Sequence, residues 1–168
     1  MPRIERIKKR RLLKSKEQRD QIEELTRSFK TEISLPGQQP HLEEGFLEDG
    51  SRVIMLNGVI LFFERAGRVF PSLNALLMGV VKLPTVTVDM GAVRYVVNGA
   101  DIMRPGVTAL EDSINTGEVV AVIDQTHHKP LAIGVSLMNA AQIKEATSGK
   151  VVNSVHHVGD EIWEFNKS

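Results

Sequence analysis

Residues 88–107 read VDMGAVRYVVNGADIMRPGV, and this stretch decides how the second half of the chain folds. Asp89 stands where a helix begins, because its carboxylate can accept free backbone N–H groups of the first turn. Asn98-Gly99 ends that helix, since both residues tolerate the left-handed backbone that follows a last turn. Pro105-Gly106 predicts a turn. Between cap and end, an apolar stripe recurs at helical spacing: Ala92, Val93, Val96 and Val97.

The segments around this stretch alternate between strands and helices with short connections. We predict the order β-α-β-β-β-α-β-β for the second half, which begins after a boundary near 81–84. Seven of these eight elements are assigned to segments: TVTVD (85–89), the helix just described, EVVAVID (118–124), LAIGVSLM (131–138), the helix AAQIKEAT (140–147), VVNSVHHV (151–158) and EIWEF (161–165). The predicted core residues are Val96, Val120, Ile133, Val135 and Trp163.

The second half resembles the PUA domain, an RNA-binding module named for pseudouridine synthases and archaeosine transglycosylases. The resemblance includes a predicted buried hydrophobic pair, Ile102-Met103, and the closing pattern H-x-x-G-D-x-[IL]-W at 156–163. The residues that carry it are Asp89, Gly91-Ala92, Asn98-Gly99-Ala100, Ile102-Met103, Pro105-Gly106-Val107, Ala132-Ile133-Gly134, Gly149-Lys150, His156, Gly159-Asp160 and Ile162-Trp163. The resemblance implies an α+β fold, with a β pseudo-barrel and two helices. It also implies an RNA groove between the first helix, the following turn and the last strands.

The residues of this predicted groove suit contact with RNA. Glycine allows close approach of a nucleic-acid backbone, arginine pairs with phosphate and tyrosine stacks on bases. The free amides at the start of helix 91–98 are a natural phosphate site, although Asp89 competes for them. The candidate RNA-binding residues are Gly91, Ala92, Arg94, Tyr95, Asn98, Gly99, Ala100, Arg104, Gly106, Lys150 and His157.

Each of these residues also has a purely structural explanation. A helix end requires Gly99, a turn requires Gly106, and Tyr95 suits packing at the edge of a barrel. Both explanations stay open at this point.

The first half contains a predicted helix and a predicted hairpin. Ser15 and Gln18 match a capping box before an amphipathic helix over 16–29. RVIML (52–56) and VILFFE (59–64) flank Asn57-Gly58, the strongest short-range hairpin signal. A short helix, SLNALL, follows at 72–77.

GVILFFERAGRVFPSL, residues 58–73, resembles the segment before the PUA domain in the malignant T-cell amplified sequence family. This resemblance implies a mixed pre-PUA domain at 1–81 and a PUA domain at 82–168. It further implies a ribosome-associated protein of the initiation or recycling type, with a partner similar to the density-regulated protein.

The zero net charge conceals a strong asymmetry. Residues 1–30 carry 11 Lys and Arg against 5 Asp and Glu, whereas residues 82–168 carry 7 against 10. Clustered cations attract polyanions, so we expect the basic arm to supply affinity for RNA and the PUA groove to place it. The alternative is that these charges have no RNA partner and only solvate the first strand, predicted within residues 3–14, and the helix that follows it. The basic arm comprises Arg6, Lys8, Lys9, Arg10, Arg11 and Lys14.

Several functional classes are excluded or disfavoured. Without cysteine there is no disulfide, no cysteine-ligated metal and no thiol nucleophile. Neither a G-x-S-x-G elbow nor a P-loop is present. Neighbouring histidines on a strand point to opposite faces, so neither 127–128 nor 156–157 chelates an ion alone. We therefore expect no metal, no cofactor and no enzymatic activity. The sequence shows no apolar membrane span and no secretory signal, which predicts a cytoplasmic protein.

The leading hypothesis is an RNA-binding translation factor without catalytic activity, whose partners are the ribosome and structured RNA, either tRNA or small-subunit rRNA. A second hypothesis is an RNA-docking accessory subunit for a separate tRNA- or rRNA-modifying enzyme of the pseudouridine or archaeosine pathway. A third is a protein–protein adaptor whose acidic PUA surface no longer contacts RNA.

Overall fold

The computed structural model describes residues 3–167, and it divides into two compact units. The first unit takes the described residues of Met1–Lys82 and of Glu161–Ser168, and the second unit is Leu83–Asp160. None of the helices within residues 3–167 has the length and the apolar character that a membrane-spanning helix needs. The division into a pre-PUA domain at 1–81 and a PUA domain at 82–168 stays a prediction.

The described residues form eleven strands, five helices and one 3-10 turn. The strands are β1 (Lys8–Leu12), β2 (Glu43–Phe46), β3 (Arg52–Leu56), β4 (Val59–Arg65), β5 (Arg68–Pro71), β6 (Thr85–Val88), β7 (Ile102–Met103), β8 (Val107–Leu110), β9 (Val119–Asp124), β10 (Pro130–Ser136) and β11 (Lys150–His157). The helices are α1 (Ser15–Phe29), α2 (Leu73–Leu77), α3 (Met90–Val96), α4 (Ala140–Glu145) and α5 (Glu161–Lys167), with a 3-10 turn at Arg104–Gly106. The predicted α+β class is confirmed.

The first unit is built on a five-stranded antiparallel sheet, in the order β1-β2-β3-β4-β5. The predicted hairpin forms its centre, and Asn57 and Gly58 both have positive φ (51° and 82°), as the tight turn requires. Phe29 of α1 stacks on Phe62 of β4 with ring centroids 6.0 Å apart. The apolar face of α1 is therefore buried against the sheet.

The predicted capping box of α1 is wrong by one residue. The helix begins at Ser15, and Glu17 accepts the backbone N–H of Lys14 at 2.9 Å. Gln18 instead binds the adjacent loop, since its side chain donates to Pro40 O and accepts from Leu42 N. The side chain of Gln18, which the local spacing assigned to the helix cap, therefore binds residues distant in sequence instead.

The second unit is built on a six-stranded sheet in the order β7-β11-β10-β9-β6-β8. All its pairs are antiparallel except β6 with β9. The sheet and the two short helices α3 and α4 enclose one apolar cluster. Its buried members include Val86, Val88, Val96, Ile102, Val107, Ile114, Val120, Val122, Leu131 and Ile143.

Three of the five predicted core residues are buried as expected. Val96, Val120 and Ile133 are at most 3% exposed, whereas Val135 is only half-buried. The prediction that Trp163 lies in the core of the second unit is wrong, because EIWEF forms a helix and not a strand. Trp163 lies in α5, is half-buried and belongs to the first unit.

Long-range contacts explain why the strand prediction for EIWEF fails. The side-chain amide of Asn166 donates to Ile60 O and accepts from Ile60 N, and Glu161 pairs with Arg65 at 3.0 Å. These contacts hold α5 against β4. The alternation of apolar and polar residues in EIWEF predicted a strand because it does not reflect such long-range contacts.

Asp124 organises the turn between β9 and β10. It is 3% exposed, and its carboxylate accepts the backbone N–H groups of Thr126, His127 and Lys129. These hydrogen bonds, led by that from His127, hold the pKa of Asp124 below its ordinary value. The stability that ionised Asp124 contributes is therefore present above its ordinary pKa of 3.8 and lost as the pH falls through the lower folded-state value.

We expect Asp124→Asn to destabilise the protein more at about pH 6 than at about pH 2.5. Asparagine accepts through one oxygen and does not ionise, whereas Asp124 loses its charge in acid. The difference in free energy of unfolding between the unmodified protein and the variant therefore becomes smaller at low pH. Urea unfolding of both proteins at the two pH values measures it. Asp112→Asn, at a side chain 84% exposed, is the control. A gap that stays constant with pH would contradict this role of the carboxylate.

Candidate RNA-binding groove

A groove of about 370 Å³ opens on the second unit beside α3, β7 and the 3-10 turn. It lies where the sequence predicted contact with RNA. Five predicted site residues line it: Gly91, Ala92, Tyr95, Ala100 and Gly106. Five further lining residues were not among the predicted ones: Val88, Val96, Asp101, Ile102 and Met103.

The start of α3 is capped as predicted. The carboxylate of Asp89 accepts the backbone N–H of Ala92 at 2.8 Å. The helix runs over Met90–Val96 rather than 91–98, and its cap already occupies the amide of Ala92. The carboxylate therefore competes with any phosphate at this helix start, which weakens the phosphate site inferred from the sequence.

The end of α3 has the geometry of a Schellman motif. Gly99 donates to Val96 O and Ala100 donates to Tyr95 O, both at 3.0 Å. The φ of Gly99 is +92°, which confirms the predicted left-handed position. A Cβ added to Gly99 would lie 3.0 Å from His157 Nε2. The structure thus requires glycine here independently of RNA.

Gly106 is held by a similar close approach. A Cβ at this position would lie 3.2 Å from the Cβ of Ala92. Glycine at 106 therefore allows the 3-10 turn to approach Ala92 of α3 closely at the groove.

Arg94 and Tyr95 form an exposed pair on α3. The Arg94 guanidinium lies 4.8 Å from the centre of the Tyr95 ring and donates to its hydroxyl at 2.9 Å. Tyr95 is 55% exposed. Asn98 is also exposed, and its side chain donates to Arg94 O at 2.8 Å. A cation and a flat aromatic face are therefore presented together beside the groove.

Arg104, Lys150 and His157 each have a partner within the second unit. Arg104 donates to the carbonyl oxygens of Ile143 and Val107. The Nδ1 of His157 lies 2.8 Å from Val158 O. Lys150 Nζ pairs with Asp101 at 2.9 Å. Their proposed contacts with RNA remain predictions, and for Arg104 the carbonyl bonds favour a structural role.

The predicted buried pair Ile102-Met103 is buried only in part. Ile102 is 2% exposed and belongs to the core, but Met103 is 49% exposed and lines the groove. Alternation along the short strand β7 sends the second side chain to the opposite face.

The closing motif H-x-x-G-D forms a structural clamp. His156 is fully buried, and its Nδ1 lies 2.7 Å from the carboxylate of Asp160, which also accepts the backbone N–H of His157 at 3.0 Å. The motif therefore fixes the chain after β11. Among the described residues, no group of three histidine, aspartate or glutamate side chains lies so as to hold a metal ion.

Half of the basic arm is paired with carboxylates of the first unit. Arg10 binds Glu43, Arg11 binds both Glu17 and Glu44, and Lys8 lies 3.8 Å from Glu48. The pKa of Glu17 falls to about 2, mainly through its hydrogen bond with Arg11. Because β1 pairs with β2, Glu43 and Glu44 lie directly beside the arginines. The exposed members of the arm for which no ion pair is identified are Arg6, Lys9 and Lys14.

Residues 84–158 match the family model of the PUA domain, the class of protein that this sheet and its groove define. The chain is 33% identical over 159 residues to an uncharacterized protein of Methanocaldococcus jannaschii, covering 95% of this chain and 98% of that relative. It is 32% identical over 125 residues to translation machinery-associated protein 20 of Saccharomyces cerevisiae, covering 71% and 69%. It is also 35% identical over 115 residues to malignant T-cell-amplified sequence 2 of Mus musculus, covering 66% and 64%.

The chain therefore belongs to the family of PUA-domain proteins that includes translation machinery-associated protein 20 and the malignant T-cell-amplified sequence proteins. A crystal structure of a PUA domain from Aeropyrum pernix superposes with a TM-score of 0.79 at 29% identity, covering 97% of this chain and 92% of that one. Both the predicted resemblance and the predicted fold are confirmed. Together the family and its relatives support RNA binding and an association with translation.

Proposed function

We propose that this protein is a non-catalytic RNA-binding factor that acts in the cytoplasm on the ribosome or on tRNA, in initiation or recycling. The observation that carries the proposal is the groove of the second unit, with the Arg94–Tyr95 pair exposed beside it. The pair combines a phosphate-binding cation with a stacking surface. Partners would be structured RNA, the small ribosomal subunit and a protein similar to the density-regulated protein.

The second unit is net acidic, so its groove needs help from cations elsewhere to bind a polyanion strongly. We assign this help to Arg6, Lys9 and Lys14 rather than to the whole arm. Arg10 and Arg11 are held by Glu43, Glu17 and Glu44, and a phosphate would have to displace those carboxylates. The arm therefore has fewer available charges than its composition suggests.

Substitution tests this division better than deletion. Removing residues 1–14 would unpair β2 from β1 and remove Leu13, which is 5% exposed. Any loss of RNA binding would then be confused with loss of fold. The triple variant R6Q/K9Q/K14Q keeps the backbone and removes three exposed charges.

We expect R6Q/K9Q/K14Q to weaken binding to bulk tRNA and to lower the slope of log affinity against log salt by about 2–3. The matched control is K82Q/K129Q/K167Q, which removes equal charge at three exposed lysines within residues 82–168 for which no ion pair is identified. Fluorescence titrations at several salt concentrations measure both slopes. Equal effects of the two triple variants would refute a specific role for the arm.

Tyr95→Ala tests the groove. We expect roughly a fivefold or greater loss of affinity for tRNA or small subunits, because stacking of one base on an aromatic ring contributes about 1–3 kcal/mol. Arg94→Glu should lose more and should also change the salt slope. If both variants bind as the unmodified protein does, the groove is not the RNA site.

The preferred ligand then separates the hypotheses. Preference for small subunits, or for tRNA in ribosomal fractions, supports the translation role. Co-purification with an RNA-modifying enzyme would favour the accessory-subunit hypothesis. Entry into ribosomal fractions without affinity for any RNA would favour the adaptor hypothesis.

A further inference from the structure

The groove of the second unit is apolar, with one exception. Of the described residues that line it, only Asp101 carries a charge. Tyr95 and Met103 add two large exposed side chains, 55% and 49% exposed. Pockets of this size hold small organic groups, whose orientation is fixed by a few polar atoms within a mainly apolar wall. Asp101 is therefore the residue to examine for selectivity.

The carboxylate of Asp101 is fixed in place by two contacts. Its Oδ1 accepts the backbone N–H of Ser154 at 2.7 Å, and its Oδ2 pairs with Lys150 Nζ at 2.9 Å. Burial acts to raise the pKa of Asp101, but the hydrogen bonds from Lys150 and Ser154 outweigh it and the pKa lies below its ordinary value. At neutral pH the group is an anion that can only accept hydrogen bonds, and each oxygen has a second acceptor position.

An anion at the wall of an apolar groove discriminates between the parts of an RNA chain. It repels phosphate, since like charges a few ångströms apart interact unfavourably even in water. It attracts neutral hydrogen-bond donors, such as ribose hydroxyls and the amino groups of bases. The apolar wall meanwhile favours the flat face of a base.

Resting on the RNA-binding function proposed above, we propose that Asp101 is a specificity-determining residue of the groove. It accepts a hydrogen bond from a hydroxyl or amino group of a nucleoside whose base packs on the apolar wall. It also keeps phosphate groups outside, where Arg94 can reach them. The groove is thus a nucleoside site rather than a phosphate site.

Nuclear magnetic resonance of the full chain tests this directly. The probes are the four ribonucleosides, their 3′- and 5′-monophosphates, and inorganic phosphate. The signals to follow are the backbone amides of Gly91, Ala92, Ala100 and Gly106. We expect nucleosides to shift these signals, the monophosphates to bind roughly fivefold more weakly or worse, and inorganic phosphate to leave them unchanged.

Two further sets of probes identify the donor. If 2′-deoxynucleosides bind more weakly than ribonucleosides, the donor is the ribose hydroxyl. If cytidine and adenosine bind more tightly than uridine, the donor is an amino group of the base.

The variant Asp101→Asn has a matched control in the same unit. Asp112 also pairs with a lysine, Lys144, but does not line the groove. Asp101→Asn and Asp112→Asn therefore make the same change in net charge and each releases one lysine. We expect Asp101→Asn to abolish the preference for nucleoside over monophosphate, and Asp112→Asn to retain it.

Asparagine at 101 can still accept the Ser154 N–H through its carbonyl, so the variant is expected to fold, and its amide spectrum checks this. The double variant D101N/K150Q separates repulsion by Asp101 from attraction by the released Lys150. The preference should be lost in the double variant as well.

Three results would overturn the inference: inorganic phosphate shifting the groove amides of the unmodified protein, Asp101→Asn retaining the preference, or nucleosides leaving the amides unchanged. If an arginine-containing aromatic dipeptide shifts them instead, the groove binds protein. Should tRNA binding still depend on Tyr95 in any of these cases, the proposed function stands without the inference. If the unmodified protein binds no tRNA at all, both the proposed function and the inference about Asp101 are wrong.

Discussion

Asp160→Ala is expected to lower the free energy of unfolding by about 2–5 kcal/mol, because two donors share this carboxylate and a buried donor that loses its acceptor costs about 1–3 kcal/mol. Asp160 is 5% exposed and lies 2.7 Å from Nδ1 of His156, which is fully buried. The variant leaves the imidazole and the backbone N–H of His157 without their shared acceptor. Urea unfolding followed by circular dichroism measures the loss.

Two comparisons make this expectation specific to the clamp. Asp112→Ala removes an aspartate that is 84% exposed, and we expect a change within about 0.5 kcal/mol. The double variant H156L/D160A should be less destabilised than the sum of its single variants, because the two residues act as a pair. Additive effects would mean that the clamp does not couple them.

Gly99→Val is expected to lower the free energy of unfolding by about 2–5 kcal/mol, for two independent reasons. A side chain at φ +92° carries a backbone cost of about 1–2 kcal/mol. Its Cβ would also lie 3.0 Å from Nε2 of His157, and overpacking of this kind costs about 1–3 kcal/mol. Thermal or urea unfolding gives the total.

Gly149→Val separates the two costs. Gly149 has a similar φ of +89°, but a Cβ there would meet no atom within 4 Å. We therefore expect it to lose only the backbone contribution. Adding His157→Ala to Gly99→Val should restore part of the stability. Equal losses at 99 and 149 would show that the contact with His157 is unimportant.

Much of the second unit could be predicted because its signals are local. The cap at Asp89, the left-handed end at Gly99 and the Asn57-Gly58 hairpin of the first unit each depend on residues a few positions apart. No segment was predicted for strands β2, β5, β7 and β8. Three of the four residues of β2, EEGF, are charged or glycine, and the strand pairs through its backbone with β1 and β3. Backbone pairing leaves little trace in such a short segment.

The candidate site was predicted in part. Tyr95, Gly91, Ala92, Ala100 and Gly106 line the groove as expected, because they stand on one predicted helix and its following turn. Asp101 was not among the predicted site residues. Its position in the groove wall depends on β7 pairing with β11, whose Ser154 and Lys150 hold it.

By itself the sequence determined much of the local geometry of this protein: the cap and the left-handed end of α3, the turn at Asn57-Gly58, and the apolar faces of α1 and α3. These features follow from backbone preferences and side-chain periodicity over a few residues. Only the tertiary structure decided which charges are free and where the last helix packs. Arg10 and Arg11 find their carboxylates on α1 and β2, and Asn166 finds its partner on β4. Electrostatic and hydrogen-bond partners are set by distance in space, which spacing along the chain does not determine.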